Sequence, residues 1–125
     1  MAEKRRVLVA DDNEDSAETL SLLLQALGHE VRTVHDGRRA VEEAEAFRPD
    51  AALLDIGMPG LDGYEVARLI RATPWGRTVI LIALTGWGQD EDVRRAHAAG
   101  FDRHLLKPVD IVPLQEALAS SLRGE

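Results

Sequence analysis

Five short apolar runs alternate with amphipathic stretches along the whole chain, and this alternation leaves few folds open. The runs Arg6–Ala10, Glu30–Val34, Ala51–Asp55, Val79–Leu84 and Arg103–Leu106 read as strands. Most are near-continuously apolar, as expected of strands covered on both faces by helices. Between them, Leu20, Leu23, Leu24 and Leu27 recur at helical steps before Gly28, a C-terminal stop. Asp36-Gly37 opens a second helix carrying Ala40, Val41, Ala44 and Phe47 up to Pro49. Asp62 caps a third with Val66, Leu69 and Ile70, closed by Pro74. A fourth is expected from Gln89 to Ala99, stopping at Gly100, and a fifth after Pro108 with Leu114, Leu118 and Leu122. Right-handed crossovers put helices on both faces of the sheet, so the expected fold is a doubly wound (βα)5 α/β domain on a parallel sheet.

At 125 residues the chain has the size of one domain, expected over 1–125 with no linker or repeat. Fifteen Lys plus Arg against 22 Asp plus Glu give a net charge of −7, which disfavours direct contact with nucleic acid. The absence of cysteine removes disulfides, thiolate nucleophiles and Cys-type zinc sites. Behind the basic run Lys4-Arg5-Arg6 the apolar stretch ends at Asp11-Asp12, too short for a signal peptide. Nothing approaches the run of about 18 apolar residues needed to enter a membrane. A cytoplasmic protein is expected.

In doubly wound sheets, ligands bind beyond the carboxyl ends of the strands, and this rule selects the polar residues that matter. Strand one ends at Asp11-Asp12, strand three at Asp55, strand four at Thr85-Gly86 and strand five at Lys107-Pro108. The fold therefore gathers three carboxylates, a hydroxyl and an ammonium at one edge. Clustered carboxylates repel one another unless a cation neutralises them, and hard oxygen ligands suit Mg²⁺, with Mn²⁺ or another divalent cation as substitutes. Lys107 and Thr85 beside such a cation form a cradle for phosphoryl oxygens. Asp55, on a central strand, is the carboxylate placed to act as nucleophile. Singly, each residue has a plainer explanation: Asp11 or Asp12 as a helix cap, Asp55 as a turn former, Thr85 as a cap or strand filler, Lys107 as a solvated surface residue. Their joint placement at one sheet edge is what points to chemistry.

At these positions the chain resembles the receiver domain of two-component response regulators, over nearly its whole length. The matching pieces are Val9-Ala10-Asp11-Asp12-Asn13, Leu53-Leu54-Asp55-Ile56-Gly57-Met58-Pro59 followed by Asp62-Gly63, Ala83-Leu84-Thr85-Gly86, and Leu106-Lys107-Pro108. The stretch from Leu84 to Gln89, with Ala99-Gly100-Phe101-Asp102 and His104, looks especially like receivers attached to hybrid histidine kinases. The resemblance implies a flavodoxin-like, chemotaxis-regulator-like sheet in the order 2-1-3-4-5. It implies that Asp55 accepts phosphate from a phosphohistidine of a sensor kinase or histidine phosphotransfer protein, so that the domain catalyses its own phosphorylation and dephosphorylation without acting on an external substrate. It also implies that Asp12, Asp55 and the Gly57 carbonyl ligate Mg²⁺ while Asp11 acts mainly through water. Thr85 and Lys107 hold the phosphoryl oxygens, and the Lys107–Pro108 bond is cis.

Departures from the family pattern are informative. His104 stands where receivers most often carry Tyr or Phe, the ring that turns inward on activation, which puts the usual aromatic switch in doubt: Thr85 with His104 as the switch pair and His104 as a plain strand-end histidine are equally open readings. Trp87 is large for a loop beside the acceptor, and Gly57 offers no side chain to steer water; both favour a long-lived phosphoryl state. His29, His35 and His97 lack ligand spacing and read as surface residues. The switching surface is expected on helix four, strand five and helix five, where a downstream protein docks, and no output domain follows in this sequence. A receiver taken from a hybrid kinase or larger regulator, and a phosphorylation-independent adaptor, are the alternatives carried forward. A haloacid-dehalogenase-type phosphatase needs a second Asp where Gly57 stands. A nucleotide- or flavin-binding module needs a glycine-rich turn that does not follow strand one.

Overall fold

The computed structural model describes residues 4–86 and 90–119. Five parallel strands, β1 (Arg6–Ala10), β2 (Glu30–Val34), β3 (Ala51–Asp55), β4 (Ile80–Thr85) and β5 (Arg103–Leu106), form one sheet in the order β2-β1-β3-β4-β5. Helices α1 (Glu14–Ala26), α2 (Gly37–Phe47), α3 (Gly63–Arg71), α4 (Asp90–Ala99) and α5 (Ile111–Leu118) alternate with them. The central strands β3 and β4 are buried at every residue, whereas the edge strand β2 is largely exposed. Period-two alternation divides the core. Leu8, Leu54, Leu81 and Ala83 pack towards α2, α3 and α4, while Val7, Val9, Leu53, Ile82 and Leu84 pack towards α1 and α5.

Local signals explain the helix limits. Asn13, rather than Asp11 or Asp12, caps α1, accepting from the Ser16 N–H and leaving both aspartates to the sheet edge. Asp36 caps α2, and Asp62 with Glu65 forms a reciprocal capping box at α3. Some expectations need correction. β4 starts at Ile80, one residue late, and reaches Thr85, one residue further; the Val79 carbonyl just before it accepts from Arg71. Pro74 opens a 3-10 turn over Trp75–Arg77 that the periodicity does not announce. Leu69 is 45% exposed and lies off the buried stripe of α3. His29 is buried; its Nδ1 accepts from the Arg5 N–H at 3.0 Å, and burial and the Arg5 charge lower its pKa. Leu122 lies outside the described residues.

Gly63 ties the fold to the sheet edge. A Cβ there would stand 2.7 Å from the Asp55 carbonyl oxygen and 2.8 Å from the Ile56 Cα, both backbone atoms that cannot yield cheaply. We expect Gly63→Ala to cost about 1–3 kcal/mol in chemical denaturation, as overpacking does, while displacing the end of β3. An unchanged midpoint would show that the contact relaxes freely.

Candidate functional site

The sheet edge is assembled from backbone pairing before any side chain contributes. The Asp11 N–H donates to the Val34 carbonyl at 3.1 Å, extending the β1–β2 ladder by one residue. Asp55 lies opposite Leu84 in the β3–β4 register, and the Lys107 N–H donates to the Thr85 carbonyl at 2.8 Å just past β5. The Lys107–Pro108 peptide bond is cis. Asp11, Asp55 and Thr85 are buried, Lys107 is half-buried and Asp12 is exposed.

The side chains then converge. One oxygen from each of Asp11, Asp12 and Asp55 lies within 4.8 Å of the other two. Lys107 Nζ reaches Asp11 Oδ2 at 2.8 Å and Asp55 Oδ2 at 3.2 Å. Asp55 Oδ1 accepts from the Gly57 N–H, and Asp11 Oδ1 from the Asn13 N–H, each at 3.0 Å. Thr85 Oγ1 lies 2.7 Å from His104 Nε2. Asn13 and His35 complete the frame; His35 Nδ1 lies 3.1 Å from the Asp11 carbonyl oxygen. The Val-Ala-Asp-Asp-Asn run carried a signal for Asn13, but nothing in the sequence pointed to His35. Trp87 lies outside the described residues.

Three carboxylates share one ammonium, and their proton affinities divide accordingly. Burial raises the Asp11 pKa above its ordinary value, more than Lys107 and the Asn13 N–H lower it. Asp12 is also raised, by desolvation and by the neighbouring Asp55. Burial would raise Asp55 too, but the Gly57 N–H, Asp11 and the Lys107 ammonium outweigh it and hold the carboxyl below its ordinary value. Lys107 is desolvated, yet its two aspartate partners hold its pKa above the usual one. Asp55 is thus the carboxylate kept ionised most firmly. The surplus of negative charge on hard oxygen donors fits a divalent cation. Beside Asp11 and Lys107, a cleft of about 300 Å³ opens between α1 and the segment after β5, lined by Leu20, Leu23, Pro108 and Val109 among others.

Residues 7–119 match the sequence profile of the response regulator receiver domain. The chain belongs to that family. Receivers are signalling modules rather than turnover enzymes, and they partner with histidine kinases; here the acidic pocket is Asp11, Asp12 and Asp55. The receiver is 37% identical over 106 residues to a gliding motility regulatory protein of Myxococcus xanthus, covering 85% of this chain but 14% of that protein. It is 32% identical over 120 residues to the DNA-binding response regulator MtrA of Mycobacterium tuberculosis, covering 96% of this chain and 51% of MtrA. Among solved structures, the receiver domain of a sensor histidine kinase from Pseudomonas aeruginosa superposes with a TM-score of 0.84 at 38% identity, covering 93% of this chain and 95% of that one. That structure holds a magnesium ion coordinated in its active-site cleft. Among the described residues of this receiver, no helix is long and apolar enough to cross a membrane.

Proposed function

We propose that this receiver takes a phosphoryl group onto Asp55 from the phosphohistidine of a sensor kinase or histidine phosphotransfer protein. The observation that carries the reading is the position of Lys107, whose ammonium bridges Asp11 and Asp55 and holds Asp55 ionised. A carboxylate oxygen of Asp55 attacks phosphorus, the phosphorus–nitrogen bond of the donor breaks, and the imidazole leaves with the electron pair. As charge grows on the equatorial oxygens, Lys107 and the Thr85 hydroxyl serve as their donors. Asp12, Asp55 and the Gly57 carbonyl would hold a divalent cation, with Asp11 acting mainly through water. Mg²⁺, or Mn²⁺ in its place, would supply charge neutralisation at the transferring oxygens. The same residues would support the domain's own dephosphorylation, with Trp87 and Gly57 setting its pace.

The cleft beside α1 would receive the phosphodonor. Val93, Leu106, Ile111 and Val112, each at least 38% exposed, give α4, β5 and α5 an apolar surface suited to a downstream protein. Domain limits of 1–125 and a cytoplasmic setting belong to the same reading.

Intact-mass measurement after incubation with acetyl phosphate tests it. One phosphoryl adduct is expected with Mg²⁺ and none with excess chelator. Equal adduct in both conditions would exclude a metal-dependent transfer. Because burial raises the pKa values of Asp11 and Asp12, protons compete with the cation as pH falls. The thermal stabilisation given by Mg²⁺ is therefore expected to shrink from about pH 7.5 to about pH 5.

A further inference from the structure

Thr85 is 2% exposed, and its hydroxyl carries one hydrogen. Among the described residues the ring nitrogen within hydrogen-bond reach of that hydroxyl is His104 Nε2, 2.7 Å away. The placement is built into the sheet. Ala83 lies opposite His104 in the β4–β5 register, and Thr85, two residues on, shares the α4 side of the sheet with Ala83. The Thr85 backbone is fixed separately, its carbonyl accepting from the Lys107 N–H.

A buried O–H without an acceptor is costly, so in the resting receiver the hydroxyl donates and Nε2 accepts. This places the neutral ring's proton on Nδ1. A phosphoryl oxygen only accepts, so it competes with His104 for the same hydrogen. That competition ends when Nε2 takes a proton from solvent. The ring then donates to Thr85 Oγ1, and the hydroxyl turns its own hydrogen to the phosphoryl oxygen.

We propose that His104 is a positioning residue acting through Thr85: its neutral ring withholds the Thr85 hydroxyl from the acidic pocket, and protonation at Nε2 releases it. The inference rests on the phosphoryl-transfer reading of Asp55 and adds to it a proton taken up on activation. The groove beside the ring, about 280 Å³, brings His97 from α4 and Asp102 and Arg103 from its own strand and the turn before it. Asp102 is engaged by Arg71, and Lys107, beyond β5, by Asp11 and Asp55. Among the described residues His97 is therefore the other titratable ring in the groove, and it serves as a control.

The test has two readouts on the full chain. Imidazole nitrogen NMR of the unphosphorylated protein at about pH 8 is expected to place the His104 proton on Nδ1, and Thr85→Val to shift the Nε2 resonance. A proton already on Nε2 would overturn the proposal. Initial rates of adduct formation with acetyl phosphate and Mg²⁺ form the second readout, each divided by the rate of His104→Phe so that the donor's own pH dependence cancels. As the pH is lowered from about 8 to about 6, the wild-type ratio is expected to rise roughly fivefold. His104→Gln carries no ring to protonate and is expected to stay flat across the same range. His97→Asn should keep the wild-type profile. A flat wild-type ratio with adduct present would overturn the role of His104 alone. Absence of adduct in wild type would overturn the phosphoryl-transfer reading, and this inference with it.

Discussion

Asp55→Asn is expected to abolish phosphoryl uptake while leaving the receiver folded. The amide lacks the anionic oxygen that attacks phosphorus, and neither Asp11 nor Asp12 replaces it: each has a raised pKa, and neither lies at the end of the central strand β3. Stability should change little. Removing one of three crowded carboxylates relieves repulsion, and Lys107 keeps its closer partner, Asp11, at 2.8 Å. A shift within about 1 kcal/mol is therefore expected in denaturation without metal, where salt-bridge loss and relief of repulsion offset each other. Intact mass with acetyl phosphate and Mg²⁺ checks the first half and urea denaturation the second. A full adduct on the Asp55→Asn variant would remove Asp55 from the mechanism.

Arg71→Ala should be strongly damaging to the fold. The guanidinium is largely buried and gathers four partners from two separate segments, the stretch before β4 and the turn before β5: the carbonyls of Gly76 and Val79 at 2.7 Å, the Gly100 carbonyl at 3.0 Å and Asp102 Oδ2 at 2.8 Å. Asp102 Oδ2 also accepts from the Leu81 N–H at 2.9 Å, so the pair pins the start of β4 to the turn before β5. Truncation leaves three carbonyls and a half-buried carboxylate without the guanidinium that satisfied them. Breaking such a pair costs about 3–5 kcal/mol, which for a domain of this size lowers Tm by roughly 10 °C or more. Arg71→Lys should recover little, since one ammonium cannot span the fork. Calorimetry reads both variants; a loss under about 1 kcal/mol for Arg71→Ala would mean that water replaces the clamp.

The fold was legible because burial on both faces forces a pattern onto the strands. Ala51–Asp55 and Val79–Leu84 are short, near-continuous apolar runs that read as strands covered on both faces, and the caps at Asp36 and Asp62 and the stop at Gly28 act within a few residues of themselves. The short-range errors have a common cause. The turn at Trp75–Arg77 and the burial of His29 both depend on partners outside the element's own period: Thr73 and Arg71 bond Gly76 in the first, and Arg5 bonds the ring in the second. A periodicity has no information about such partners.

The candidate site divides along the same line. By itself the sequence determined which residues reach the active edge, because strand ends are a property of strand pattern: Asp11, Asp12, Asp55, Thr85 and Lys107 follow from where five apolar runs stop. It also determined the chemical types on offer, three carboxylates, a hydroxyl and an ammonium. Only the tertiary structure decided how these groups share charge and hydrogen. Lys107 bridges Asp11 and Asp55, Asn13 rather than either aspartate closes α1, and the Thr85 hydroxyl rests on His104. Hydrogen bonds and ion pairs fall off within a few ångströms, so they are fixed by cross-strand register and by α1 and β5 meeting the central strands. Those distances exist only once the sheet has closed.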